Sequence, residues 1–419
     1  MHTPTGDPTA TAADRAGKPR DARRIVILLE NLPLARDARV RRECRALLDA
    51  GYQVSVICPR GEDERVARTL PEVRLHTFRP APEGTGVVGY VREYLVASVA
   101  MAALLAKVAA TEGVDAIQAC NPPDVFFVHA APFRLAGRPF VFDHHDLSPE
   151  LFTARSGRRG VLRWILEQLE RLTLRTADHV IATNDSVREV ALRRGGKRPE
   201  DVTVVRNGPE LSRARPAPAS KAVAVPAEAE HLLVWLGVMG PDDGVDVALR
   251  AVAHLVHDVG RRDVHAAFLG DGEWAGRLRG LAAKLDIEPY VTFTGWVEAD
   301  TIAAYLGRGT LGLAPDPAGP RADRATMMKV MDYLAAGLPV VAFDVRETRI
   351  SAGEAGVYVT DDDPAAYGQA IAALLDDPDR RRAMADVGRR RIEESLAWEH
   401  QAPAYVGVYD QLLGVRRTR

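Results

Sequence analysis

Short apolar runs of strand character alternate with segments of helical period over nearly the whole chain. In the first half these runs are rich in Val, Ile, Leu and Phe, which is typical of strands buried on both faces of a parallel sheet. The alternation therefore predicts an α/β domain of successive βα units, with helices covering both faces of the sheet. Its predicted strands cover residues 24–30, 54–59, 73–78, 116–120, 140–143 and 179–183.

The alternation breaks at residues 207–231, where Pro, Ala and Ser are frequent, as in a linker. A second βα series follows, so the chain is predicted to form two doubly wound, Rossmann-like domains that face each other across a cleft. The strands of this series are predicted at 232–238, 264–272, 291–296, 311–315, 340–344 and 356–359. The predicted boundaries are a disordered tail at 1–22, an N-terminal domain at 23–212, a linker at 213–231, a C-terminal domain at 232–395, and a helix at 396–419 that is expected to return to the N-terminal domain.

Composition narrows the class of protein. The chain has 419 residues, a formal net charge of -2 and three cysteines. A near-neutral balance argues against a generic nucleic-acid binder, and no nucleic-acid partner is expected. Cys44, Cys58 and Cys120 have no CxxC spacing, which predicts reduced, buried thiols of a cytoplasmic protein. Neither a GxGxxG fingerprint after the first strand nor a Walker A motif is present, which argues against oxidoreductases and P-loop ATPases.

Two stretches bear on membrane contact. Residues 94–106 are apolar but too few to span a bilayer, so a core helix is predicted there. Residues 158–166 combine arginines with Trp164 and aliphatic side chains, a basic amphipathic pattern that could lie on an anionic membrane face. A solvated helix is the favoured interpretation of that second stretch. Weak peripheral contact at the inner face of the membrane is kept as an expectation.

The strongest candidate for chemistry is the segment 322–344, ADRATMMKVMDYLAAGLPVVAFD. It predicts a loop, a short helix with Thr326 as N-cap and Gly337 at its end, and a buried strand. A helix N-terminus at a ligand site favours anions. Lys329 and Asp332 lie three residues apart and share a helix face, pairing a phosphate partner with a hydroxyl acceptor. The alternative is an amphipathic helix that packs on a sheet with solvated charges.

A second candidate follows the strand at 140–143, where the chain reads FDHHDLSPE. His145 at that strand end could bind a sugar hydroxyl or transfer a proton, whereas the alternative is a buried structural histidine. Adjacent histidines seldom point at one ion, and no metal is expected. Asp37 and Arg39, at the start of the first helix, could contact substrate, although helix capping by Asp37 and a surface arginine would also explain them.

In its ordered motifs the chain resembles the GT-B glycosyltransferases of family 4, from residue 24 to about residue 409. The motifs are DARVRRECRALLDAGYQV, FDHHDLSPEL, ADHVIATNDS, VVRNGPE, LGDGE, VTFTGWV and KVMDYLAAGLPVVAFD. The resemblance implies a retaining, metal-independent enzyme that uses a nucleoside diphosphate sugar as donor and needs no other cofactor. Retention is generally attributed to front-face attack, in which the leaving phosphate helps to deprotonate the acceptor.

The resemblance also implies roles for individual residues, beginning with a donor site in the second domain. Asp332 would accept hydrogen bonds from the ribose, and Lys329 with the backbone at Thr326 and Met327 would hold the diphosphate. Trp296 and Val297, at the end of the strand at 291–296, would border the base.

In the first domain, His145 would meet the donor sugar across the cleft. We assign Asn207 of VVRNGPE, together with Asp37 and Arg39, to further substrate contacts.

The chain departs from the family pattern at three places. The paired glutamates E-x7-E would fall at Arg324 and Asp332. The basic pair after the linker would fall in GVMGPDDG, which offers Val238 and Asp243, and the glycine-rich acceptor-side loop is replaced by ENLPLARD. Arg324 with Lys329 is therefore expected to supply the positive charge for the diphosphate, and we place both with His145 among the catalytic candidates.

The predicted function is transfer of a sugar to an acceptor hydroxyl on a polysaccharide, a lipid-linked molecule or a small natural product. Two alternatives follow from the departures. One is a degenerate GT-B protein that serves as a noncatalytic partner. The other is a GT-B-fold epimerase or hydrolase of sugar nucleotides.

Overall fold

The chain forms two compact units in a computed structural model that describes residues 23–80, 86–157, 160–214, 223–319 and 321–415. Among the described residues, the first unit contains those up to Thr153, those from 160 to 205 and those from Ala402 to Val415. The second unit contains residues 154–157 and the described residues between 206 and 401. The predicted tail at 1–22 lies outside the described residues, as does part of the predicted linker.

The first unit is built on a parallel sheet of seven strands in the order β3-β2-β1-β4-β5-β6-β7. Its strands are β1 Arg24–Leu29, β2 Gln53–Pro59, β3 Arg74–Phe78, β4 Ala116–Cys120, β5 Phe140–His144, β6 His179–Ala182 and β7 Val202–Val204. Its helices are α1 Ala38–Asp49, α2 Asp63–Thr69, α3 Gly86–Thr111, α4 Phe127–Leu135, α5 Ser148–Ser156, α6 Val161–Thr176 and α7 Asp185–Gly195.

The second unit repeats this strand order in a parallel sheet of six strands, β10-β9-β8-β11-β12-β13. The strands are β8 His231–Leu236, β9 Val264–Leu269, β10 Val291–Gly295, β11 Leu311–Ala314, β12 Val340–Phe343 and β13 Gly356–Val359. The helices are α8 Val245–Ala253, α9 Ala275–Lys284, α10 Ala299–Arg308, α11 Met328–Ala336, α12 Arg346–Ala352, α13 Pro364–Leu375 and α14 Pro378–Arg391, followed by α15 Trp398–Leu413.

The core of the first unit lies on both faces of its sheet. Residues of α3, α4, α6 and α7 share one apolar cluster with alternate residues of the strands. On the other face, the hydroxyls of Tyr405 and Tyr409 in α15 both donate to Oε1 of Gln118 in β4, at 2.7 Å for Tyr405. The Tyr52 hydroxyl donates to Asp410 Oδ1 at 2.7 Å, so the last helix is tied to this unit by buried polar contacts.

The prediction of two doubly wound α/β domains is confirmed, and every predicted strand is present. The strand β7 was not predicted, because a strand of three residues at the sheet edge is too short to show a pattern. Asp37 caps α1 through its side chain, as its position suggested, and Asp363 caps α13 in the same way. All three cysteines are free and buried, as predicted.

Two local predictions were wrong. Thr326 is not an N-cap, because α11 begins at Met328 and Met327 occupies the cap position without a side-chain hydrogen bond. The chain leaves a single helical turn at Ala322–Arg324 in an extended conformation, so the next helix begins one residue later than the predicted cap requires. Residues 94–106 do lie in a helix, but only one of its faces is in the core.

Candidate functional site

The strand order of the second unit reverses between β8 and β11, and ligands of doubly wound sheets bind beyond the carboxyl ends of the strands at such a point. The loop after β8 passes very close to the end of β11 there. Gly244 has φ +66, and a Cβ at this position would lie 1.8 Å from the carbonyl oxygen of Pro315. Only glycine fits both the left-handed backbone and this approach.

Gly244→Ala is expected to lower the free energy of unfolding by at least about 2 kcal/mol, because it adds both backbone strain and a collision with backbone. Urea unfolding measures the loss. Gly280→Ala is the matched control, because Gly280 lies inside α9 with nothing within 4 Å of an added Cβ. That control should gain roughly 0.5–1 kcal/mol. An unchanged stability of Gly244→Ala would contradict the close approach.

Lys329 is buried on α11 and forms an ion pair with Asp316, which follows β11. Its Nζ donates to the two carboxylate oxygens of Asp316 at 2.8 and 3.0 Å, and it lies 5.0 Å from the ring centroid of Trp235. Asp316 was not predicted as a site residue from the sequence. Its position in the sequence could have indicated it, because an aspartate directly after a predicted strand at the switch point lies at the carboxyl end of the sheet, where ligands bind.

Asp243, in the loop after β8, lies near the same pair. Burial raises its pKa, Asp316 adds to that effect, and Lys329 opposes it. Asp243 also accepts a hydrogen bond from the Gly240 backbone N–H at 3.0 Å. The end of this sheet therefore combines one ammonium with two carboxylates.

Tyr333 holds α11 against the two strands at the switch point. Its hydroxyl donates to the carbonyl of Leu313 at 3.1 Å and accepts from the N–H of Leu236 at 3.1 Å. Burial raises the pKa of this phenol, which is therefore neutral at physiological pH. Asp332 is half-buried one residue earlier on the helix. The hydroxyl of Tyr333 fixes the helix that carries both Lys329 and Asp332.

A cavity of about 760 Å³ is lined by Asp323, Arg324, Asp344, Arg346, Arg349 and Ile350. Arg349 Nη2 lies 2.7 Å from Asp344 Oδ2, and the Arg346 N–H donates to Asp323 Oδ1 at 3.3 Å. Three guanidinium groups thus meet two carboxylates, which leaves the lining with a net positive charge. The helix α12, which starts in this cavity, packs against α11 and against the turn that carries Arg324.

The other residues predicted in this unit differ in how far they are exposed. Trp296 follows β10 with 71% of its surface exposed, so its ring is open for stacking. Val297 instead packs against the unit's core, which leaves less of it for ligand contact. Thr326 and Met327 are half-buried before α11, and Asn207 is half-buried in the loop after β7.

In the first unit, the alternation of β5 separates the two histidines of FDHHD. Asp143 and His145 lie on one face, where His145 Nε2 is 2.5 Å from Asp143 Oδ2. His144 is buried on the opposite side with its Nε2 3.2 Å from Glu170 Oε1. Successive residues of a strand point to opposite faces, so the two rings do not converge on one ion. His145 is thus paired with a carboxylate and keeps part of its ring exposed.

Arg39 is buried, and it is the centre of an ion network in the first unit. It donates to Asp143 Oδ1 at 2.9 Å and to Asp143 Oδ2 at 3.2 Å, and its Nε lies 2.9 Å from Glu43 Oε1. Burial raises the pKa of Asp143, but Arg39 and His145 outweigh burial and hold it well below its usual range. Burial, reinforced by Asp143, raises the pKa of Glu43.

Arg39 is therefore not the surface arginine of the alternative interpretation. The Asp37 side chain caps α1, where it accepts a hydrogen bond from the Val40 N–H at 2.9 Å. Both are structural groups in this fold, and a substrate contact by either stays a prediction. Residues that directly follow a strand are the ones placed for ligand contact in such a sheet, and neither Asp37 nor Arg39 directly follows a strand.

Glu30, directly after β1, was not singled out from the sequence. It lies where the first sheet reverses its strand order, between β1 and β4. Burial, with the nearby charge of Glu93, raises its pKa to about 7. A carboxyl group that titrates near neutral pH suits proton transfer. The available signal was its place at the start of ENLPLARD, the segment that replaces a glycine-rich loop.

Comparisons with known proteins agree on the class of fold and family. The family described as "Glycosyltransferase Family 4" matches residues 38–213, and "Glycosyl transferases group 1" matches residues 230–377. Two proteins of Catenulispora acidiphila are similar to this chain. D-inositol 3-phosphate glycosyltransferase 2 is 30% identical over 56% of each chain. D-inositol 3-phosphate glycosyltransferase 1 is 29% identical over 67% of this chain and 69% of that one. The chain thus matches little more than half the length of the first of these relatives.

Solved structures resemble the chain over most of its length. Sucrose-phosphate synthase from Thermosynechococcus elongatus has a TM-score of 0.72 at 19% identity, covering 94% of this chain and 100% of that chain. Anabaena HepE in complex with UDP-glucose has a TM-score of 0.71 at 17% identity, covering 93% and 99%. At such identities the likeness concerns the fold.

Proposed function

Because the chain belongs to the GT-B glycosyltransferases of family 4, we propose that it transfers a sugar from a nucleoside diphosphate sugar to an acceptor hydroxyl, with retention of anomeric configuration. The observation that carries this proposal is the cationic cavity beside α11. It offers guanidinium groups for a diphosphate, next to the helix that carries Lys329 and Asp332. The proposed enzyme needs no cofactor beyond its donor.

The donor would bind at the switch point of the second unit. Arg324 is proposed to stabilise the departing diphosphate together with Lys329, and this replaces the family's missing basic pair. The net positive lining around Arg324 supports the assignment, because developing negative charge is best stabilised by preorganised cations. Asp332 is proposed to accept from the ribose hydroxyls, and Trp296 to stack on the base, for which its exposed ring is suited.

His145 is proposed to contact the transferred sugar. The neighbouring Asp143 carboxylate, 2.5 Å from its Nε2, would orient the ring. In front-face attack the leaving phosphate takes the acceptor proton, so the protein mainly positions the two substrates and stabilises charge. Glu30 is the proposed acceptor-side group that titrates near neutral pH.

The donor base, the donor sugar and the acceptor are proposed only by class. HepE is solved with UDP-glucose, so UDP-sugars come first among the donors to be tested. The relatives named D-inositol 3-phosphate glycosyltransferases suggest a phosphorylated cyclitol as one acceptor, beside polysaccharide, lipid-linked and natural-product acceptors. A cytoplasmic enzyme is proposed, since such donors are cytoplasmic metabolites.

The test is incubation of the protein with a panel of nucleotide sugars and acceptors, followed by measurement of released nucleoside diphosphate. We expect release that depends on the acceptor, and a product whose anomeric configuration by NMR equals that of the donor. Release without acceptor would favour a hydrolase, and an epimerised sugar nucleotide would favour an epimerase. Neither turnover nor nucleotide binding across the panel would favour a noncatalytic partner and overturn the proposal.

A further inference from the structure

The outward face of α3 is apolar, although a helix on the surface of a soluble domain normally presents polar residues there. Ala97, Met101, Leu105 and Val108 pack on the sheet. The opposite stripe is exposed, with Leu95 at 61% and Val99 at 70%. Residues 92–111 have the length and hydropathy of a membrane span, with a mean hydropathy of 1.8, yet only 22% of the most apolar window is buried.

Two neighbouring helices extend this apolar surface. The Ser98 hydroxyl of α3 lies 3.1 Å from His129 Nε2 of α4, and α4 packs against α6. All three helices cover the same face of the sheet. Among the described residues, ten of the 16 exposed large hydrophobic side chains lie on these three helices, namely Tyr94, Leu95, Val96, Val99, Val128, Leu135, Val161, Trp164, Ile165 and Leu172. We call this set the apolar face.

The charges around the apolar face are predominantly positive. On α3 and α6, five cationic side chains reach the surface against two carboxylates. Arg92 and Lys107 bracket the apolar stripe of α3, and Arg175 ends that of α6. Only Arg163 of α6 has its charge compensated along the helix, by Glu167 at 3.0 Å, among the pairs described for these two helices. Long cationic side chains beside an apolar helix can lay their stems on lipid while their heads reach anionic groups.

We propose that the apolar face docks on an anionic membrane surface, with α3 and α6 lying in the plane of the interface. A mixture of aliphatic residues, an exposed Trp164 and flanking cations is what an interfacial helix presents to lipid. The helix α3 lies on the bilayer and does not cross it, because its buried stripe is part of the unit's core and its Ser98 is held by α4. Docking of this face on a membrane does not depend on the proposed transfer activity.

The test is co-sedimentation of the full chain with vesicles of phosphatidylglycerol and phosphatidylcholine in equal parts, and with vesicles of phosphatidylcholine alone. We expect binding to the anionic vesicles that weakens as salt rises above about 0.1 M. The variant Leu95→Glu/Val99→Glu should lower the partition coefficient by at least about tenfold, since it replaces buried apolar contacts with repelled charges. Trp164→Glu should act in the same direction.

Val259→Glu is the matched control, because Val259 is an exposed aliphatic residue of the second unit and should leave vesicle binding unchanged. Circular dichroism verifies that each variant is folded. Equal binding of wild type and the α3 variant to anionic vesicles would overturn the proposal. A second result would also overturn it: the wild type does not bind vesicles, and light scattering shows a wild-type dimer that the α3 substitutions dissociate. The apolar face would then be covered by a second copy of the chain.

Discussion

Replacing Lys329 with alanine is expected to lower the free energy of unfolding by about 3–5 kcal/mol, because it leaves the buried Asp316 carboxylate without its partner. The two oxygens of Asp316 lie 2.8 and 3.0 Å from Nζ, and both side chains are buried. Urea unfolding at neutral pH measures the loss. The double variant Lys329→Ala/Asp316→Asn should recover much of it, since the uncompensated charge is then gone.

The same variants separate this structural role from a phosphate role. If Lys329 also holds the diphosphate, Lys329→Ala should weaken nucleoside diphosphate binding by about 10- to 100-fold, the usual value of a charge-assisted hydrogen bond, and nucleoside binding far less. The double variant should regain stability without regaining diphosphate affinity. Calorimetric titration measures both ligands. Lys284→Ala, an exposed lysine of the same unit, is the control. Equal losses for nucleoside and diphosphate would remove Lys329 as phosphate partner.

Arg39→Leu is expected to lower the free energy of unfolding by about 3–5 kcal/mol at neutral pH, because Asp143 loses the guanidinium that compensates its buried charge. Its pH dependence is diagnostic. In the wild type the pKa of Asp143 is lowered by Arg39 and His145 against the effect of burial. That contribution is present above the unfolded-state pKa of about 4 and is lost as pH falls through the folded value.

In Arg39→Leu, the cost of burying the Asp143 charge is no longer offset by the guanidinium. Protonation of Asp143 at low pH removes that charge and should therefore restore part of the lost stability. The stability gap to wild type should therefore narrow as pH falls from 7 to about 4. Chemical unfolding at several pH values measures the gap. Arg45→Leu is the control, because Arg45 on the same helix pairs with Glu72 only at the surface, a contact worth about 0–1 kcal/mol. A gap of constant size across this range would show that Asp143 is not the group left uncompensated.

Local pattern was sufficient for most of the fold. The runs around β4 and β13 were located to the residue because each is a short, mainly apolar run bounded by turn residues. Short elements carry less pattern, and β7 was missed for that reason. The start of α11 was misplaced because a cap needs a backbone conformation as well as the right residue, and Thr326 precedes the cap position.

For α3 the sequence indicated a helix but not its surroundings. The sequence shows that a stretch is apolar, whereas the exposure of its side chains depends on what packs against each face of the helix. The sheet covers one stripe of α3 and leaves Leu95 and Val99 in contact with solvent. The membrane proposal therefore could not come from the apolar run alone, which had suggested a core helix.

The sequence by itself determined the two α/β units, the family and the segment that carries Lys329 and Asp332, because strand periodicity, turn residues and ordered motifs are local properties of the chain. Tertiary structure alone decided the partners: Asp316 for Lys329, Asp143 for Arg39 and His145, and Arg346 and Arg349 beside Arg324. These partners lie from 2 to 104 residues apart where hydrogen bonds join them. Charge compensation acts through space over a few ångströms, so a pattern along the chain cannot reveal which ions meet.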